Sequence, residues 1–89
     1  MQKKAIVLSL GGSLIIPSDI DTVFLKKFKK TILKNTKGYK FVIVCGGGSI
    51  ARKYISGLEN EKLSKKKFHQ GLLGIASTRL NARFMTYFF

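Results

Sequence analysis

Two glycine clusters carry the clearest chemistry in this chain. Gly11-Gly12-Ser13 follows the nearly continuous apolar run Ala5–Leu10, and Gly46-Gly47-Gly48 follows Phe41–Cys45. Glycine lets a backbone come close to an anion, and the free N–H groups at the start of a following helix point at it. The partial positive charge of the helix N-terminus adds to the attraction. Both clusters therefore have the composition of phosphate cradles. If the two runs are adjacent parallel strands, both cradles lie at the same C-terminal edge of a sheet, where open α/β folds bind ligands. Two cradles side by side suit two phosphate-bearing groups, as in phosphoryl transfer. Each cluster by itself reads equally as a tight strand-to-helix turn.

Gly46 to Ala51 matches G-x-G-x-x-G/A, the dinucleotide pattern. The acidic residue that pattern needs about 20 positions later is missing, because no carboxylate follows Glu61. No G-x-x-x-x-G-K-S/T string occurs. Arg52 stands four residues beyond Gly48, where a guanidinium one turn into a helix can fold back and hold a phosphate with two hydrogen bonds; an exposed helical Arg is the alternative. Lys53 lies one position further round and is expected in solvent. Thr78, Arg79 and Asn81 form either a polar ligand set or the non-core face of a late helix. Cys45 reads as a small buried hydrophobe, and His69, with no second His or nearby carboxylate, as surface. The only carboxylates are Asp19, Asp21, Glu59 and Glu61, which places no protein metal site near the loops.

Elements must position these residues. Ala5–Leu10 and Phe41–Cys45 read as strands buried on both faces, as in parallel sheets. Residues 14–17 read as a connector. Ser18 with Asp21 predicts a helix start, with acids at the positive end of the helix. Phe24, Phe28 and Ile32 recur every four residues, with Leu25 and Leu33 beside them and Lys26, Lys27, Lys29, Lys30 and Lys34 between. That pattern predicts an amphipathic helix with a solvated lysine face, ending near Asn35 to Gly38. A third helix is expected from Ser49 to about Ser56, with Gly57 as its stop. Ser64 then caps a last helix carrying Phe68, Leu72, Ala76, Leu80 and Phe84. Gly71 and Gly74 inside it each cost about 1 kcal/mol relative to Ala, so packing must support it. A strand–helix–strand unit implies parallel strands with a right-handed crossover. Two strands cannot cover both faces of a parallel sheet, so the pattern reads as the opening of a larger α/β domain.

Composition narrows the classes. Length permits one domain at most. Apolar residues make up 45% of the chain, which excludes a disordered chain. One Cys excludes a disulfide framework and a multi-cysteine zinc site, and a reducing intracellular compartment is the default. No apolar stretch reaches the ~18 residues of a membrane span. Residues 1–16 superficially resemble a secretory leader, but Gly11-Gly12 breaks the apolar run and no A-x-A site precedes Pro17. The formal charge is +13, from 17 Lys+Arg against 4 Asp+Glu. That excess admits a small basic nucleic-acid-binding module using the lysines of residues 26–40 and the acid-free segment after Glu61. Lys, which supplies most of the cations, is less suited than Arg to reading bases or gripping phosphate, so a solvated lysine surface is preferred.

VLSLGGSLI (7–15), VIVCGGGSIARKYI (42–55) and GIASTRLNA (74–82) together resemble the amino acid kinase family, with the nearest likeness to the archaeal-type uridylate (UMP) kinases. The resemblance implies a three-layer αβα sandwich with a mainly parallel sheet. Residues 1–89 would be the N-terminal, β-α-β-α-α portion of one such domain, with the C-terminal half absent. It implies transfer of the ATP γ-phosphoryl group to UMP in pyrimidine nucleotide biosynthesis, with Mg²⁺ accompanying ATP. It also implies a cytoplasmic, hexameric complete protein with no membrane or nucleic-acid partner. By motif position, Gly12 and Ser13 contact ATP phosphates and Gly47 faces the UMP phosphate. Gly48 and Arg52 lie at the ATP side or the transferred group, and Gly11 and Gly46 shape the loops. No catalytic residue is assigned. Two positions depart from the family pattern. Ser9 stands where many members carry Lys, although archaeal-type UMP kinases also often lack it. Gly71, beside Gln70, stands where family UMP kinases place an Asp that holds the ribose. Acetylglutamate, glutamate and isopentenyl phosphate kinases are the alternative family members. The 89 residues by themselves are expected to be inactive. They could also form a structural subunit that pairs with a separately encoded second half.

Overall fold

A computed structural model describes residues 3–89, so the first two positions of the leader-like stretch lie outside the described residues. The element order is β1 (Lys4–Leu10), α1 (Gly12–Ile15), α2 (Thr22–Lys34), β2 (Tyr39–Cys45), α3 (Gly48–Glu59) and α4 (Lys66–Phe88). The strands pair in parallel, from Lys4 opposite Tyr39 to Leu10 opposite Cys45. This is an α/β arrangement. Because the last residues of the two strands are register partners, both glycine loops leave the sheet at one edge and at one level.

Helix α2 begins one turn later than the Ser18 signature predicts. Asp21 is its N-cap, and the Asp21 carboxylate accepts a hydrogen bond from the Phe24 N–H at 3.0 Å. Pro17 and the turn after it hold Ser18 outside the helix. The apolar stripe is as expected in part: Leu25 and Ile32 are buried, and Phe24 and Phe28 pack against the core, while Leu33 is exposed. The lysine face is not wholly left to solvent. Lys29 Nζ donates to the Phe88 carbonyl at 3.0 Å and stands 5.6 Å from the Phe88 ring centroid. A cation there satisfies an orphan carbonyl at the negative end of α4.

The core joins Leu10, Ile15, Leu25 and Met85, with Ile43, Cys45, Phe84 and Phe88 packed against it. These residues come from the strand ends, α1, the first half of α2 and the C-terminal part of α4, so burial concentrates toward the glycine-loop end of the sheet. Ile6, Leu8 and Leu10 alternate with exposed neighbours along β1, as Phe41, Ile43 and Cys45 do along β2. The other sheet face is open: Val7, Val42 and Val44 are 68%, 45% and 52% exposed. The expectation of strands buried on both faces is therefore corrected. Among the described residues, helices cover one face only, so one sheet layer and one helical layer are present.

Helices α3 and α4 form an antiparallel pair. Gln70 Nε2 donates to the Ile55 carbonyl at 2.8 Å and to Glu59 Oε2 at 2.9 Å, and Lys66 Nζ donates to the Glu59 carbonyl at 2.6 Å. These contacts carry α3 through Gly57 to Glu59, past the stop that glycine predicts. Ser64 does not cap α4; the N-cap is Lys65, in the left-handed region at φ 57°. The buried face of α4 also differs from the expected one. It is formed by Ser77, Asn81 and Met85, whereas Phe68, Leu72, Ala76 and Leu80 are exposed. A strict four-residue step drifts about 40° per step on a 3.6-residue helix, so it wraps around the surface instead of keeping to one face. The 74, 77, 81, 85 series mixes steps of three and four and stays on one side. No helix among the described residues is long and apolar enough to cross a membrane.

The cap of α2 gives a direct check. Asp21→Ala should lower stability by about 1 kcal/mol in urea unfolding, while Ser18→Ala should change it by less than about 0.5 kcal/mol.

Candidate functional site

The two loops meet backbone to backbone. A Cβ built on Gly12 would lie 2.6 Å from Gly48 Cα and 2.7 Å from the Gly46 carbonyl carbon. One built on Gly48 would lie 2.8 Å from the Gly12 carbonyl carbon, and one on Gly46 would lie 2.8 Å from the Gly12 nitrogen. Gly48 also has φ +65°, a conformation that L side chains disfavour. Real Cβ atoms do not approach backbone this closely, so three of the five loop glycines are needed simply for the loops to touch. Gly11 is different: a Cβ there meets nothing within 4 Å. The contact is tied by Gly46 N–H to the Leu10 carbonyl at 3.1 Å and Ser49 N–H to the Ile16 carbonyl at 3.3 Å. The connector 14–17 contributes by turning into α1, where Ile16 N–H donates to the Gly12 carbonyl at 2.8 Å.

Polar groups stand over this junction. Arg52 Nη1 reaches Ser13 Oγ at 3.5 Å, and both residues are exposed. The distance is at the outer limit of a hydrogen bond, so the guanidinium bridges the two loops loosely and remains available to an anion. Asp19 and Asp21 sit at the start of α2, while Glu59 and Glu61 lie at the far end of α3. No carboxylate therefore neutralises the positive end of α3 or the Arg52 cation. Among the described residues no three His, Cys, Asp or Glu side chains cluster as metal ligands.

Helix α4 supports the second loop from beneath. The space where Gly47 lacks a side chain is filled by Ala51 Cβ, 2.7 Å from a built Cβ, and Ser77 Cβ, 3.5 Å away, with the Gly74 carbonyl next. A Cβ built on Gly74 itself would meet only Ile55 Cδ1, at 3.8 Å, so the loop contact is made by the Gly74 carbonyl and does not require glycine there. The Asn81 side chain is buried, and its Nδ2 donates to the Gly46 carbonyl at 2.8 Å and the Gly47 carbonyl at 3.1 Å. Of the trio 78, 79 and 81, Asn81 is the member brought to the loops, as a backbone anchor. Thr78 Oγ1 donates to the Ile75 carbonyl in its own helix at 2.7 Å, and Arg79 is exposed. Ser49, in the first turn of α3, is buried with its hydroxyl unpartnered. Cys45 is half-buried against the core, and burial pushes its thiol above the ordinary range. Lys53 and His69 are exposed as expected, with the His69 ring 5.7 Å from that of Phe68. The roles of Gly46 and Asn81 as a coupled pair escaped the sequence reading, because an Asn in a helix carries no signal of what lies 35 residues upstream.

Comparison with known proteins identifies relatives of the chain. The model of the amino acid kinase family matches residues 4–89. A uridylate kinase of Thermoplasma volcanium is 42% identical over 79 residues, which cover 89% of this chain and 34% of that protein. One of Thermoplasma acidophilum is 40% identical over 79 residues, covering 89% and 33%. One of Thermococcus gammatolerans is 34% identical over 77 residues, covering 86% and 33%. The chain thus spans about a third of the length of the curated relatives it matches.

The steric account separates two neighbouring glycines. Gly12→Ala should lower stability by about 2 kcal/mol or more, as forced overpacking does. Gly11→Ala should be neutral within about 0.5 kcal/mol. Urea unfolding of both variants checks the pair.

Proposed function

The chain belongs to the amino acid kinase family, and on that premise we propose that it supplies the phosphate-binding edge of a uridylate kinase, which moves the ATP γ-phosphoryl group to UMP and yields ADP and UDP. The observation that carries this reading is the meeting of two glycine loops, backbone to backbone, with Arg52 bridging to Ser13 above them. In the proposed arrangement Gly12 and Ser13 contact ATP phosphates, Gly47 faces the UMP phosphate, and Gly48 and Arg52 serve the ATP side or the transferred group. Gly11 and Gly46 shape the loops. A UMP phosphate oxygen attacks the γ-phosphorus while the bond to the β–γ bridging oxygen breaks. The work of these residues is to hold the two phosphates in line and to offset their mutual repulsion. Residues 1–89 are, on this reading, the N-terminal portion of one domain.

The residues present do not fit a protein-held Mg²⁺, since no carboxylate stands at the loops; ATP would bring the ion with it. Ser9 adds no cation, and it lies on the exposed sheet face opposite Val44. Gly71 has open space where a Cβ would go, so this chain offers no carboxylate to the ribose at that position, and acceptor choice rests on the phosphate and the loops. The same features would serve an acetylglutamate, glutamate or isopentenyl phosphate kinase, but the named relatives favour UMP. A cytoplasmic location and a hexameric complete protein complete the proposal.

Titration of the ¹⁵N-labelled chain tests it. UMP and ATP should shift the amides of Gly12, Ser13, Gly47 and Gly48, with glutamate and acetylglutamate leaving them in place. Arg52→Ala should weaken nucleotide binding about tenfold or more, the scale of one charge-assisted hydrogen bond. A coupled assay of the 89 residues by themselves should show no UMP-dependent ADP formation. Shifts produced by acetylglutamate and not by UMP would reassign the acceptor. Submicromolar, steeply salt-dependent binding of DNA or RNA would favour the nucleic-acid module instead.

A further inference from the structure

We infer that Asn81 is a positioning residue for the second phosphate loop: by holding two successive carbonyls on α4, it aims the N–H groups of Gly47 and Gly48 at the bound phosphate. The inference deepens the proposed function and rests on that reading of the loops. Peptide groups are planar and trans, so each carbonyl points opposite to the N–H of the next residue. The Gly46 carbonyl shares its peptide plane with the Gly47 N–H, and the Gly47 carbonyl shares its plane with the Gly48 N–H. Nδ2 of Asn81 donates to both carbonyls, at 2.8 and 3.1 Å. Both carbonyls are thereby turned toward α4 and both N–H groups away from it. Neither N–H finds a backbone acceptor among the described residues, and the Gly48 nitrogen lies against Gly12 of the first loop, at the junction that Arg52 bridges.

The chemistry of the site requires a side-chain amide. A group facing two carbonyl oxygens must be a double donor, so the NH₂ end of the amide is turned to the loop. Asp has the same shape but no donor when ionised; it would face both carbonyls with an acceptor. Asn81 is 4% exposed, so water cannot substitute freely for the lost donor. The Gly47 carbonyl also accepts the Ala51 N–H, but at 3.5 Å, so the shorter Asn81 bonds hold the two planes more firmly. Gly46 and Gly48 cannot carry a Cβ because of the first loop, and Gly47 cannot because of Ala51. The helix beneath therefore supplies the side-chain hold on both planes. The position is also suitable for this role on α4 itself: one turn before it Ser77 donates to its own helix at Leu73, and one turn after it Met85 enters the core.

The test separates orientation from general stability. The ¹⁵N-labelled chain is compared with Asn81→Ala, Asn81→Asp and Met85→Ala, the last removing a buried apolar core side chain one turn beyond Asn81. Each is followed by urea unfolding and by UMP titration monitored at the Gly47 and Gly48 amides. The Asn81 variants should bind UMP at least tenfold more weakly than the unsubstituted chain, with Asp worse than Ala, whereas Met85→Ala should lose stability and keep UMP affinity within twofold. UMP affinity within twofold of the unsubstituted chain in folded Asn81→Ala overturns the inference. A measurement on the unsubstituted chain covers the case in which a variant does not fold. The Asn81 Nδ2 protons should resist exchange with solvent and resist it further when UMP is bound; free exchange overturns the inference as well. Absence of UMP binding by the unsubstituted chain is a different result. It overturns the reading of the loops as a nucleotide site and, with it, the role given to Asn81.

Discussion

The structure depends on one contact, the approach of the Gly12 backbone to Gly48. It requires both strands to end at the same level, which the Leu10–Cys45 register provides. It requires the absence of side chains on both loops, which three glycines provide. It also leaves an energetic debt, because two loops with free N–H groups gain little from each other. That debt is offset directly beneath them, where Leu10, Ile15, Leu25 and Met85 form the core. Leu10 and Ile15 flank the first loop, Met85 comes from the helix that supports the second, and Leu25 comes from α2. Packing and site are thus the same region of the molecule.

Burial falls away from that region. The chain extends over 56 × 27 × 16 Å with a radius of gyration of 15.9 Å, against about 12 Å for a compact chain of this length. The beginnings of both strands are exposed, and one sheet face carries Val7, Val42 and Val44 in the open. These valines fit the sequence of a strand meant to be covered on both sides, as parallel strands are. Local composition and observed environment agree on the half of the sheet that the helices cover and disagree on the other half. The disagreement measures how much of the apolar patterning serves surfaces beyond those the described residues bury.

Much of this was legible in the sequence. The strands, the crossover and the two loops follow from short apolar runs ended by glycine, a local signal that survives in any context. The start of α2 was harder, since Ser18 and Asp21 both suit a cap and only the path after Pro17 decides between them. The buried face of α4 differs from its apolar face for a physical reason. Beneath the loop its inward side is formed by Ser77 and Asn81, small or polar residues that meet a loop backbone, so apolarity points away from it. Where a helix packs on backbone instead of on side chains, hydrophobic periodicity loses its meaning. In the site, Arg52 could be placed by spacing from Gly48, but Asn81 could not, because its partners are 34 and 35 residues distant and are carbonyls that every residue possesses.

The large positive charge invites an electrostatic explanation of function, yet its distribution argues for a narrower one. Lys29 is engaged with the Phe88 carbonyl and Lys66 with that of Glu59, where each closes a helix end. Lys26, Lys27, Lys30 and Lys34 lie exposed on α2, and screening confines the field of such charges to about 10 Å at ordinary salt. The attraction that an anion meets at the loops comes from short-range sources: the oriented N–H groups, the positive end of α3 and one guanidinium. Those act through geometry, which a Lys-rich surface does not specify. On the proposed function, phosphate selectivity would be a property of backbone orientation, set by glycine where the chain must approach and by a buried amide where it must be aimed.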